Sequence, residues 1–249
     1  MAYLPALFLL SSSLPQDAKE VTQDWKHPWA GATVGTWLKF RITRYESIPT
    51  PGGDTEYEEK KSDRTDTVTK VSKASVEIRS KEGEDDGTRL LVYTGLPGEL
   101  GYKMTRAGEE DVKVGDQTYK CAVYEFRTGP VTKGKKDGGQ LLKVWKAPGT
   151  LVWAVKQRFW LDASKDDGWT EEWIGTETVK LGGREYTCAT VKRTNSMGAG
   201  GMSIQKTETT WQNSEIPGWT VKRIERNLMN GKENKMMDHD LELVEFEKK

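Results

Sequence analysis

Gly108-Glu-Glu-Asp-Val-Lys-Val-Gly-Asp-Gln-Thr-Tyr-Lys-Cys121 and, 67 residues further on, Gly175-Thr-Glu-Thr-Val-Lys-Leu-Gly-Gly-Arg-Glu-Tyr-Thr-Cys188 agree at seven of fourteen positions. In the second copy Gly182-Gly183 separates Glu177–Leu181 from Tyr186–Val191. Two glycines between short runs rich in Thr, Val and Tyr are a two-residue hairpin signal, because only glycine enters the left-handed backbone region without a steric cost. Chance does not place the same hairpin twice, so the chain carries an internal repeat of strands.

The likeness extends outward. With the register slipping by one, Trp145 meets Trp211 and Val155-Lys156 meets Val221-Lys222, while Pro148-Gly149 and Pro217-Gly218 occupy matching turns. Units 108–158 and 175–224 each read as strand, two-residue turn, strand, long loop, strand, Pro-Gly turn, strand. Two copies are too few for a solenoid. Before them, Gly35-Thr-Trp-Leu-Lys-Phe-Arg-Ile42 alternates, with Leu38, Phe40 and Ile42 on one face and Lys39 and Arg41 on the other, as a half-buried strand requires. Thr65–Arg79 and Arg89–Tyr93 read as further β segments around the turn Gly83–Gly87, and 235–246 can close the sheet. No stretch holds a 3.6-residue apolar period, and Asp17–Trp25 is the one modest helix candidate. The expected fold is all-β: a curved antiparallel sheet, half-barrel or sandwich, built partly from the two units, with at most one or two short helices. Pro49–Gly53, Lys133–Gly139 and Gly198–Gly201 read as flexible stretches.

The 249 residues carry 38 Lys+Arg against 38 Asp+Glu, a balance that excludes a strongly basic nucleic-acid binder. Ten Trp, eight Tyr and five Phe supply the apolar area that disordered chains lack, although 31% of the residues are charged. Ala2–Leu10 is apolar and too short for a membrane span, which needs about 20 residues. It suits a signal peptide over 1–16, leaving a single β domain over 17–249 in a secreted or periplasmic protein. No other run approaches transmembrane length.

The chemistry-bearing residues are sparse. His27 and His239 are the only histidines, so no multi-histidine metal centre is available. His239 stands between Asp238 and Asp240, which a strand turns to the opposite face, and it reads as a surface position. Asp162, Ser164 and Asp166 have the alternate spacing of a calcium loop, but Asp167 replaces its glycine and Trp173 its closing glutamate, so an exposed acidic turn is the plainer reading. Cys121 and Cys188 occupy equivalent places and either pair as a disulfide or remain buried thiols; equivalence alone does not bring their Cα atoms within the ~7 Å a bond needs. No nucleophile elbow, phosphate loop or other cofactor motif appears, and no cofactor is expected. The tryptophans remain: Trp37, Trp145, Trp153, Trp211 and Trp219 either fill the core or line a concave apolar surface.

Trp25-Lys-His-Pro-Trp-Ala-Gly31, Gly35-Thr-Trp-Leu-Lys-Phe40, the Glu-x-Val-Lys-(Val/Leu)-Gly-x-x-x-Tyr-x-Cys hairpin and Pro217-Gly-Trp-Thr-Val-Lys222 resemble a group of uncharacterised secreted bacterial β proteins. More distantly, the sheet pattern is similar to the periplasmic lipoprotein-localisation carriers, and that resemblance implies a curved half-barrel around acyl chains. It identifies no functional residue. The expectation is an exported, non-enzymatic protein that binds a lipid, another hydrophobic small molecule or an envelope protein on an aromatic-lined face. A structural or interaction module of the envelope is the alternative, with an exported hydrolase third.

Overall fold

The computed structural model describes residues 28–29, 31–50, 55–72, 75–92, 103–127, 139–161, 168–199 and 202–249. The expected signal peptide, the Asp17–Trp25 helix and the acidic turn at 162–167 lie outside them.

The described chain is all β, in order β1 (Trp37–Pro49), β2 (Thr55–Val71), β3 (Ser75–Glu82), β4 (Asp85–Val92), β5 (Lys103–Val114), β6 (Gln117–Arg127), β7 (Leu141–Lys146) and β8 (Lys156–Trp160). There follow β9 (Gly168–Leu181), β10 (Arg184–Ala199), β11 (Met202–Gln212), β12 (Thr220–Met229), the short β13 (Lys232–Glu233), a 3-10 turn at Lys235–Met237, and β14 (His239–Glu247). All pair antiparallel in one sheet, ordered β4-β3-β2-β1-β14-β12-β11-β10-β9-β8-β7-β6-β5, with β13 beside β12. Thus β4 and β5, consecutive in sequence, stand at opposite edges. Thirteen strands side by side would make a flat sheet about 58 Å wide. The eleven peptide units from Val92 to Lys103 reach about 40 Å at most. The sheet must therefore curl, and it does so tightly: β5 touches β9, and β9 touches β14.

The curls enclose separate cores. Leu38, Phe40 and Ile42 of β1 join Val68, Val76, Ile78, Val221, Leu241, Leu243 and the loop residue Trp29 in the larger one, into which Leu181, Tyr186 and Cys188 at the tip of the β9–β10 hairpin also project. Val114 and Cys121 at the tip of β5–β6 project in the same way into a second core with Val123, Trp145, Val155 and Trp173. On the other face of β6 and β7, Tyr124, Phe126 and Val144 form a third. The two hairpins turn through Gly115 and Gly182 at φ +58° and +56°. Each also skips one residue at a matching place, beside Gly108 on β5 and beside Gly175 on β9.

Two boundaries differ from expectation. Thr65–Arg79 is not one segment but the end of β2 and most of β3, joined through Ser72, whose N–H donates to Ser75 O at 2.8 Å. Gly198 and Ala199 belong to β10, paired up to Ala199 opposite Met202, so strand pairing in the second unit runs through residues where a long loop was expected.

Candidate functional site

Directly opposed residues of an antiparallel pair share a face, so the register shows what lies above the larger core. Along β1 the inward series Leu38, Phe40, Ile42 continues to Arg44. Opposite Phe40 stands Arg64, and opposite Arg64 stands Glu82. On the other flank Ile42 faces Leu241 and Arg44 faces His239, which in turn faces Glu225 of β12. Each strand is apolar at the floor and charged at the mouth.

The charges are paired because burying them singly is costly. Asp66, 1% exposed, takes Arg89 Nη2 at 2.8 Å and Arg64 Nη2 at 3.2 Å. Arg64 Nε lies 3.0 Å from Asp66 Oδ1 without the alignment of a hydrogen bond. Arg44 grips Glu82 with two nitrogens, and Ser62 Oγ donates to Glu82 Oε1 at 2.6 Å. These hydrogen bonds, led by the one from Arg44, hold the Glu82 carboxyl down to about 2. A carboxylate so acidic is a poor general base for the neighbouring serine.

On the opposite side, His239 Nε2 is 3.0 Å from Arg223 Nη2, and Nδ1 is 3.4 Å from Glu225 Oε2. Arginine only donates, so Nε2 bears the lone pair and Nδ1 the proton. Lys206 Nζ approaches the same Glu225 oxygen at 2.7 Å. Burial, ahead of the charges around it, pushes the imidazole below its ordinary 6.5. Between these walls, and under Met236 and Met237 of the 3-10 turn, lies a cleft of about 580 Å³. Asn227 secures that turn: its N–H donates to Asp238 Oδ1 and its Nδ2 to Met237 O, both at 2.7 Å. A second cleft, of about 410 Å³, lies where β5 meets β9 and is lined by Glu110, Trp145, Lys156, Glu172 and Trp173 among others.

The five tryptophans are not gathered on one face. Trp145 and Trp211 are buried in different cores, with Nε1 donating to Glu110 Oε2 at 2.7 Å and to Glu177 Oε2 at 2.9 Å. Lysines cover their rings: Lys143 and Lys156 over Trp145, Lys222 over Trp211. Trp37 is half-buried on the outer face of β1 and donates to Glu247 Oε2 at 2.9 Å. Trp153 packs on the third core, and Trp219 takes φ +61° in the turn before β12. Cys121 and Cys188 are free thiols in separate cores, so the disulfide alternative is not realised; each Sγ donates to the carbonyl two residues back, of Tyr119 and Tyr186. Among the described residues no cluster of three or more His, Cys, Asp or Glu could hold a metal.

The His239 group was hidden from sequence reasoning. Glu225 and Arg223 lie at alternate positions on β12, and only the register with β14 brings them to the histidine.

No protein-family model and no curated protein matches the chain. Among solved structures, a Bacteroides fragilis protein described as exported and of YmcC-like fold is similar with a TM-score of 0.34 at 11% identity, over 87% of this chain and 97% of that one. The hypothetical lipoprotein YmcC from Escherichia coli is similar with a TM-score of 0.30 at 12% identity, over 84% of each chain.

Proposed function

We propose that the chain is an exported, non-enzymatic β protein acting as a structural or interaction module of the cell envelope, with the charged mouths of its curled sheet as contact surfaces. The observation that carries this reading is the filling of the inward rows: Leu38, Phe40, Ile42, Leu241 and Leu243 are 4% exposed or less against their own neighbours. Carriage of a lipid calls for an open apolar concavity, because its affinity comes from apolar area withdrawn from water. The concavities between β1 and β14 and between β5 and β9 instead set Arg44, Arg64 and His239, and Glu110, Lys156 and Glu172, among their apolar residues. Export rests on the apolar Ala2–Leu10 block. The two hairpins, with matching turns, skipped residues and Trp–Glu bonds, support a duplicated four-strand unit as the origin of the sheet.

Native mass spectrometry of the protein taken from its own envelope tests the reading. The expected species lacks the first residues of the chain and carries no lipid. A full-length cytoplasmic species would remove export, and stoichiometric lipid would return the reading to hydrophobic carriage.

A further inference from the structure

The arrangement around His239 contains two alternative pairings for the same charges. In the arrangement present, neutral His239 accepts from Arg223 through Nε2, while Lys206 holds Glu225. Arg223 Nη1 already lies 3.9 Å from a second carboxylate, Glu208 Oε2 of β11. Glu225, 3.4 Å from Nδ1, is the only one of the four charged groups acting on the ring from nearby strands that would favour a cation; Arg223, Lys206 and Arg44 oppose it. The 3-10 turn contributes Asp238, whose Oδ1 is taken by Asn227, and β1 contributes Glu46 at the cleft.

We propose that His239 is a proton-operated latch of the β1–β14 cleft. A proton taken from solvent at Nε2 fills the lone pair that Arg223 uses. Two cations then face each other, Arg223 swings to Glu208, and the imidazolium closes on Glu225 in competition with Lys206. Because β14 begins at His239, directly after the turn that presents Met236 and Met237, the movement is transmitted to the methionine wall of the cleft. The cleft therefore has two arrangements, selected by pH, whatever its partner.

The test uses the whole chain labelled with ¹³C-methyl methionine and followed by NMR as pH is lowered through the histidine range. The expected result is that the Met237 methyl signal and the His239 ring signals move together with one midpoint, below the ordinary histidine value. Arg223→Gln should raise that midpoint by removing a cation, and His239→Gln should leave the methyl signal flat. A Met237 signal that stays still while His239 titrates overturns the proposal, as does an unchanged methyl titration in His239→Gln. The wild-type titration decides the matter even if a variant fails to fold.

Discussion

Replacing Trp211 by Phe removes one N–H and leaves Glu177 without its donor, so the cost is that of a hydrogen bond to a charged acceptor plus some lost packing. The expected loss is roughly 2–3 kcal/mol in urea unfolding. Glu177→Gln keeps an acceptor and should cost less than about 1 kcal/mol; a loss equal to that of Trp211→Phe would show that the acceptor's charge carries the whole effect and packing none of it. Burial, first among the causes, pushes both cysteine thiols above their ordinary value. A buried, protonated thiol is unreactive. Ellman's reagent should therefore find neither Cys121 nor Cys188 in the native protein and both in denaturant, whereas silence in denaturant would mean a disulfide. That tryptophan and cysteine favour apolar surroundings was legible from their type. That Trp145 and Trp211 occupy separate cores was not, because residue type says nothing about which neighbours close over a ring.

Single positions control the pairing of whole strands. Gly168 opens β9 at φ +120°, and a Cβ there would lie 2.0 Å from Phe159 O. Gly168→Ala should cost about 3 kcal/mol or more and raise hydrogen exchange through β8 and the start of β9. Gly87→Ala on β4, where a Cβ meets nothing within 4 Å, is the control and should change stability by less than about 0.5 kcal/mol. Elements with apolar alternation, such as β1, or with glycine turns, such as β9–β10, were readable in advance. The break between β2 and β3 was not, because Val71-Ser72-Lys73-Ala74-Ser75 contains neither glycine nor proline. Nor was the first half of β2, Thr55–Arg64, which has no apolar stripe. It is a strand because β1 pairs with it throughout and because Lys39 reaches Asp63 at 3.0 Å.

The molecule as a whole is held together through charge as well as apolar contact, so its stability should depend on acid. Glu82 binds its proton at about 2 when folded, against an ordinary 4.5. The unfolded chain therefore holds more protons between these values, and stability falls as pH drops through that window. With Arg44 half exposed to screening solvent, the pair is worth about 1–2 kcal/mol. Glu82→Gln should lose that amount near neutral pH and become indistinguishable from wild type below the window, as measured by urea midpoints; a constant gap at all pH values would refute the assignment. Breaking the deeper pair with Asp66→Ala should cost about 3 kcal/mol, since Arg64 would lose its buried partner while the half-exposed Arg89 can turn to solvent. The order of residues alone was enough to read the β class and the β5–β6 and β9–β10 hairpins, because alternation and turn chemistry act between neighbours along the chain. Which strands meet, which face of β14 carries His239, and whether aromatic rings line a hollow or fill it were decided by the curl of the sheet. That curl arises from the register of thirteen strands together and from a short chain that must join its two edges.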